Sequence, residues 1–532
     1  MSSSTWHPRE THTLEAETEL RIEIPYSPLS TSSTAEHCKV RLTSGSAEIF
    51  GVELALNRWY DFSCSKIAVY TWHGCTVEVE GVYTVSYESD ETACNIAYVN
   101  THAQLEVLRD DALQAILAAA AAGEESPTAA TTSSSNTSSG ASSTTNRRGP
   151  RVLIAGPTDS GKTSLALTLS TWAAKVSRTP LLVDLDVSCN LWSVPGSMAV
   201  APVTMEATSV TDSVDSANTT PLVYWYGHTE GMANTDLLRI LIAQLAKSVN
   251  ERLLNETDAV AASSGIIVNS MGCFMEGEGY NILLHVVEQM DINVVLVMGH
   301  DRLYSMLRSH FNKQLPPSQS NATSIKVIKL PRSGGVVSRD SDFRQRLRSN
   351  SIRRYFHGEV TPFQPNVVAT RTPNVASSDK EQSQTLVYRF TPNLIDLHFD
   401  DVEIYKTSQV SLSRGMLPII GEQRTSKVQL IKVEKSSYAK HMIHSVVAVC
   451  QPSAVEAYEK MISQINTDDS LYNDDEDDLT AKAQELLYSS SVAGFLVIEK
   501  VDLERQRFSF LSPCSGDLPS RTLLIGDITW ME

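Results

Sequence analysis

Between residue 13 and about residue 105, apolar and polar positions alternate with a period of two in "TELRIEIPY", "CKVRLTSGSAEIFGVEL", "KIAVYTWHG" and "CTVEVEGVYTVSY". Successive strand residues point to opposite faces, so this alternation, broken by Gly and Asn, predicts the short strands of an all-β sandwich. The run "AQLEVLRDDALQAILAAAAAG" predicts a short helix after it. Next comes "EESPTAATTSSSNTSSGASSTTNRRG", whose Ser/Thr/Ala/Gly bias offers nothing to bury and predicts a disordered linker. From Arg151 the period changes. "RVLIAG", "PLLVDLDV", "GIIVNS", "NVVLVMG" and "IKVIKLP" are apolar β-type runs, separated by helical runs such as "SLALTLSTWAAKV", "TDLLRILIAQLAKSVNERLL" and "YNILLHVVEQM". Alternation of this kind predicts a parallel sheet with helices on both faces. Beyond about residue 360, "DVEIYK", "VQLIKVE", "HSVVAVC", "VAGFLVIEKVD" and "RTLLIGDITW" again read as strands, interrupted by an acidic insert near residues 466–480 that reads as a solvated loop. The chain thus divides into residues 1–122, a linker at 123–148, an α/β domain at 149–358 and a third domain at 359–532.

Three domains suit 532 residues. With 42% hydrophobic and 20% charged residues the core material is ample. No apolar run reaches the ~18 residues that span a bilayer, and "MSSSTWHPRETHTLE" lacks the regions of a signal peptide. The expectation is a protein working inside the cell, with its eight scattered cysteines reduced. They form no C-x-x-C pair, so no zinc site is expected. A formal charge of −18 argues against a general nucleic-acid coat and leaves RNA contact to a local basic segment.

One stretch carries explicit chemistry. "GPTDSGKTS", Gly156 to Ser164, fits G-x-x-x-x-G-K-[ST] and stands between a predicted strand and a predicted helix. Glycines let the backbone wrap so that successive N–H groups face phosphate oxygens, and the positive helix end at Ser164 adds attraction. Lys162 would neutralise the β and γ phosphates and the Thr163 hydroxyl would ligate Mg²⁺. ATP binding is therefore expected; turnover is a separate matter. In "SGIIVNSMG", Asn269 stands where many such proteins place a magnesium-holding Asp. Asp184 and Asp186 in "LLVDLDVSCN" share a face by period two. Asp186 reads either as a base or orderer of magnesium waters, or as a strand-end turn cap.

Several blocks resemble, in order, the Clp subunit of the eukaryotic pre-mRNA cleavage and polyadenylation factor, a family akin to polynucleotide 5′-hydroxyl kinases. They are "SGSAEIFGVEL", "YTWHGC", "RGPRVLIAGPTDSGKTS", "VDLDV", "VPGSM", "LPRSGGVVSRDSDFR", "IRRYFHG" and "SVAGFLVIEKVD". The resemblance implies an N-terminal β-sandwich that clamps the adenosine, a central α/β P-loop NTPase domain and a small C-terminal α/β domain. It implies that Glu19 and Lys66, which alone would read as exposed strand charges, contact the nucleotide. It implies that Asp159, Ser160, Gly161, Lys162, Thr163 and Ser164 hold the phosphates. Its implied setting is the nucleus, with ATP and Mg²⁺ as cofactors. The implied partners are the other cleavage-factor subunits, including the large one that binds the RNA polymerase tail, with pre-mRNA touched indirectly or weakly.

Active kinases of the resembled family carry more than the loop, and here the chain departs. "DLDVSCN" keeps Asp186 but has Ser188 and Cys189 where kinases have Gly-Gln. In "NSMGCF", Cys273 stands at the place of a Trp that clasps the terminal base, and Phe274 comes one residue late. Lost base stacking removes roughly 1–3 kcal/mol of strand binding. Lys326 to Arg354 holds nine Lys and Arg against two Asp, a local balance of +7. Within it Arg348 and Arg353 match positions of transition-state charge stabilisers, although a basic helix would equally dock on the acidic body or on a partner. The preferred reading is an ATP-holding assembly subunit required for cleavage and polyadenylation, without turnover. The alternative is an active RNA 5′-hydroxyl kinase. A ribosomal-RNA-processing kinase of the superfamily is disfavoured by "SGSAEIFGVEL".

Overall fold

The computed structural model describes residues 6–25, 37–122, 148–211, 213–214, 219–313, 325–358, 360–362, 386–388, 390–409, 428–467 and 473–531. The expected linker at 123–148 lies outside them except for Arg148. Two sheets form the N-terminal sandwich. One runs in the order Trp6–Leu14, Cys75–Val82, Cys38–Gly45, Trp59–Phe62. The other runs Val52–Glu53, Glu48–Ile49, Ser65–Thr71, Thr18–Ile24, Val85–Ser89. Alternate residues such as Val40, Leu42, Val77 and Val79 fill the space between the sheets, as the period-two pattern requires. The first strand, Trp6–Leu14, was not foreseen; its "WHPRETHTL" is mostly polar because it is an outer, largely exposed strand.

The helix expected after the sandwich is not short. It runs Ala93–Ala121, 29 residues, and starts earlier because Cys94, Tyr98, Thr101 and Leu105 already follow helical spacing and are buried. Tyr98 and Leu105 join the core of the central domain, so the helix is a brace between the two units.

The central sheet has the order Leu222–Trp225, Ser197–Pro202, Leu181–Asp184, Ile266–Asn269, Arg151–Ala155, Val294–Met298, Lys326–Leu330. Five of these strands pair in parallel and are nearly continuous in apolar residues, since helices cover both faces. The expected parallel sheet is present in these five strands, and two further strands extend it. Ser197–Pro202 and, at the edge, Leu222–Trp225 are antiparallel, and the sequence reading did not include them.

The C-terminal sheet runs Asn393–His398, Arg507–Ser512, Val492–Asp502, Ser445–Cys450, Thr522–Thr529, Glu403–Gln409, Val428–Lys432. Helices Pro452–Thr467 and Asn473–Tyr488 accompany it. The acidic insert is thus corrected from a loop: residues 473–479 begin the second helix. Ala483, Leu487 and Tyr488 farther along are buried, which gives the segment a reason to be helical. Among the described residues no helix is long and apolar enough to cross a membrane.

Candidate functional site

A cavity of about 240 Å³ opens where the sandwich faces the central domain. Its floor is the loop between the strand Arg151–Ala155 and the helix Lys162–Lys175. Gly161, at φ +88°, is the left-handed residue from which that helix starts, and no side chain caps the first turn. The leading amides therefore face the cavity without a side-chain partner, which is the arrangement that receives a phosphate. Ser160 Oγ is buried and has no hydrogen-bond partner among the described residues. Lys162 is buried, and burial lowers its ammonium pKa while Asp186 and then Asp159 oppose the shift. Its Nζ donates to Pro157 O at 2.8 Å, which aims the charge back across its own loop.

Strand register sets the polar end of the sheet. Asp184 and Ile154 both lie opposite Asn269, so the three strand ends meet beside the loop. Asn269 Nδ2 donates to Asp184 Oδ1 at 2.9 Å and to Thr163 Oγ1 at 3.3 Å. Asp184 also accepts from Asp186 N at 3.0 Å and Leu191 N at 2.8 Å. Its carboxyl is pushed up to about 7, first by complete burial and then by the charge of Asp186. The expected shared face of Asp184 and Asp186 holds only in part, because the strand ends at Asp184 and Asp186 sits in the following turn. There Ser188 Oγ donates to Asp186 Oδ1 at 2.6 Å, and Ser188 N donates to the same oxygen at 3.1 Å. The Asn269 N–H₂ ties Thr163 Oγ1 to Asp184 Oδ1, so at this edge the Thr163 hydroxyl oxygen is the ligand that would suit a hard ion such as Mg²⁺, and Asn269 presents a donor instead of a carboxylate.

From the sandwich, Glu19 and Lys66 line the same cavity as the loop. Glu19 Oε1 accepts from Arg21 Nε at 2.6 Å, and burial raises the Glu19 pKa against the pull of Arg21. Lys66 pairs with Glu23 at 2.9 Å and lies 5.4 Å above the Phe343 ring of the basic helix. Arg348 lines this cavity too, together with Arg339 and Arg344. Arg353 does not. It lines an adjoining groove of about 2010 Å³ between the sandwich and the C-terminal domain, because five residues along a helix turn it away from Arg348. Thr163, Ser164 and Asp186 border both spaces. Asp159 points to the basic segment: its Oδ2 accepts from Arg339 N at 3.0 Å and Arg344 Nη2 at 2.5 Å.

Three contributors escaped sequence reasoning. Arg344 had a usable signal, since it and Arg348 are four apart and share a helix face. Arg21 is one alternate position from Glu19 and so shares its strand face. Gly272 gave none: a Cβ there would sit 2.3 Å from Thr158 Oγ1 and 2.6 Å from Thr158 N, so only glycine lets this turn brace the loop. The segment around Cys273 is a turn and not extended; Cys273 is exposed while Phe274 is buried in the core.

Three family models match the chain. Residues 13–112 match the N-terminal β-sandwich domain of polyadenylation factor, 156–358 the P-loop of mRNA cleavage and polyadenylation factor CLP1, and 390–532 the pre-mRNA cleavage complex II protein Clp1. The chain is 31% identical to a protein CLP1 homolog of Arabidopsis thaliana over 98% of its own length and 94% of the relative's. It is 31% identical to the polyribonucleotide 5′-hydroxyl-kinase Clp1 of Gallus gallus, over 98% and 96%. With the mRNA cleavage and polyadenylation factor clp1 of Botryotinia fuckeliana the identity is 30%, over 98% and 93%. The fold is that of Clp1p solved in complex with Pcf11p, with a TM-score of 0.66 at 20% identity over 99% of each chain. A second such structure, described as showing an extended Pcf11p–Clp1p interface and the basis of ATP loss in a point mutant, gives 0.67 at 21% over 100% of each.

Proposed function

The chain belongs to the Clp1 family of mRNA cleavage and polyadenylation factors, and from that premise we propose that it is an ATP-holding assembly subunit of the pre-mRNA 3′-end cleavage and polyadenylation machinery. The observation that carries this reading is that one cavity is lined jointly by the phosphate loop of the central domain and by Glu19 and Lys66 of the sandwich. A nucleotide seated there touches two domains at once and stabilises their union by linkage, about 2.7 kcal/mol when ATP stands at a hundred times its Kd. In this reading Ser160, Gly161, Lys162, Thr163 and Ser164 hold the phosphates, and Glu19 and Lys66 hold the nucleoside end. Mg²⁺, when bound at Thr163, supplies positive charge to the triphosphate. Relatives of this fold are described with Pcf11p, so a Pcf11-type subunit is the proposed protein partner, and the proposed place of work is the nucleus.

One feature supports slow or absent turnover. Asp186 Oδ1 accepts two hydrogen bonds from Ser188, but Oδ2 keeps its lone pairs, so these bonds do not disable a base and the support lies at Cys273. Cys273 offers no ring to hold an acceptor base in line, and a misplacement of about 1 Å costs on the order of a hundredfold in rate. The kinase reading keeps one specific support: Asp186, Lys162 and Arg348 line a single cavity, and relatives near 30% identity are described as RNA 5′-hydroxyl kinases.

The experiment is direct. The purified protein is assayed for co-purifying nucleotide, then for transfer of labelled γ-phosphate to a 5′-hydroxyl RNA, with Asp186→Asn as control. Bound ATP without transfer is the expected outcome. Robust transfer abolished in the control would replace this reading with the kinase.

A further inference from the structure

The basic segment that follows the edge strand Lys326–Leu330 forms a strap, residues 331–348, and it is tied down along its length. Tyr98 OH on the long helix Ala93–Ala121 donates to Pro331 O at 2.9 Å. Gly335 passes so close to Arg21 that a Cβ there would lie 2.9 Å from Nε. Val336 closes on Gly161, where an added Cβ would meet its Cγ2 at 3.0 Å. At the far end, the helix Ser341–His357 is plugged into the C-terminal domain: Phe495 N donates to Tyr355 OH at 3.1 Å, and Trp530 Nε1 to Ser349 Oγ at 3.2 Å. Between these anchors, the strap meets the phosphate loop through Asp159, whose Oδ2 takes Arg344 Nη2 at 2.5 Å and Arg339 N at 3.0 Å.

A carboxylate is an odd choice for a phosphate loop, since it repels the anion that the loop is built to receive. Asp159 sits at φ +54°, a left-handed position that Gly or the neutral Asn would serve as well as Asp. Turn chemistry therefore does not account for the charge. The ion pair does: Asp159 is 14% and Arg344 31% exposed, so the pair is partly shielded from water, and the loop's negative charge is matched within the protein.

We propose that Asp159 is a positioning residue that acts through Arg344, latching the strap over bound nucleotide and slowing its release. This rests on the cavity being a nucleotide site and makes Asp159 a latch in place of a phosphate ligand. Opening the strap at one end means breaking this pair while the C-terminal anchors hold, so release is limited by a local event at the loop.

The test uses the full chain as wild type, Asp159→Asn, Arg344→Met and the double variant, loaded with a fluorescent ATP analogue and chased with excess ATP. Asn keeps the left-handed preference and an acceptor for Arg339 N but loses the ion pair. Each single variant should release nucleotide roughly tenfold faster, the factor a lost charge-assisted hydrogen bond gives, with an unchanged association rate. The double variant should add nothing further, because both substitutions remove one interaction. Amide hydrogen exchange of residues 333–347 in the nucleotide-free protein should rise in Asp159→Asn. Unchanged release in the single variants, additive effects in the double, or unaltered exchange overturns the latch and leaves nucleotide binding standing. A wild type that binds no ATP removes both.

Discussion

The central domain is held by two joints of opposite material. Toward the C-terminal domain the joint is apolar and close. Trp225 packs on Phe495 with ring centroids 5.3 Å apart, Phe356 stacks on Trp530 at 5.9 Å, and part of the C-terminal domain joins the central hydrophobic cluster while the rest forms its own. The backbones nearly touch, since a Cβ on Gly526 would lie 2.1 Å from Gly227 O, and Asp527 N donates to Gly227 O at 2.8 Å. Toward the sandwich the joint is polar. Glu48, buried, accepts from Trp72 Nε1 at 3.3 Å, Trp172 Nε1 at 3.2 Å and Lys175 Nζ at 3.1 Å, and the sandwich keeps its own separate core. The candidate nucleotide cavity lies at this second joint. A ligand can regulate only a union that is not already saturated by its own apolar contacts, and a polar joint with a cavity meets that condition.

The largest effect should come from the apolar joint. Phe495→Ala removes a buried ring and should cost about 3–5 kcal/mol, with the central and C-terminal domains lost in one transition. Calorimetry that shows the C-terminal domain melting separately, with the central domain unmoved, would break the picture of a fused pair.

Lys162→Ala with Thr163→Ala should abolish ATP binding and, with it, the ligand-dependent rise in thermal midpoint. At a hundred times the wild-type Kd that rise represents about 2.7 kcal/mol. Undiminished ATP affinity by titration calorimetry would refute the loop as the site.

At the polar joint, Glu48→Gln turns an amide N–H₂ toward Lys175 or the indoles and should cost roughly 1–3 kcal/mol. The effect should shrink when ATP is present, because the ligand supplies a second bridge. An equal loss with and without ATP would mean that the nucleotide does not reinforce this joint.

A further effect is one of pH. Asp184 titrates near 3.8 in the unfolded chain and is raised to about 7 in the fold, so the native state binds its proton more tightly. Its contribution is greatest at low pH and is lost as pH rises through the folded value. Asp184→Asn lacks this term, so its stability relative to wild type should improve between pH 5 and pH 7. Parallel pH profiles from denaturant titrations would show that Asp184 does not titrate in that window.

The elements around the site were legible because each is encoded by contiguous residues. The phosphate loop is nine successive residues whose glycine spacing dictates its wrap, and the flanking apolar runs dictate a strand and a helix. Where expectation slipped, the signal was weak or divided: the antiparallel strands Ser197–Pro202 and Leu222–Trp225 are short, and the acidic stretch gains its helical reason only from the apolar residues after it.

Only the tertiary structure decided which distant side chains meet. Asp159 and Arg344 are 185 positions apart, and Trp172 reaches Glu48 across 124. "SGSAEIFGVEL" is legible as a distinctive block, yet its sequence does not say that Glu48 faces the indole of another domain, or that a Cβ on Gly51 would press on Thr168 O at 3.1 Å. Local backbone geometry follows from neighbours along the chain. Pairings between domains depend on how whole faces pack, and a single residue type carries almost no information about that. The chain alone therefore determined a phosphate-binding loop between a strand and a helix, while the packing of three domains decided what closes over it.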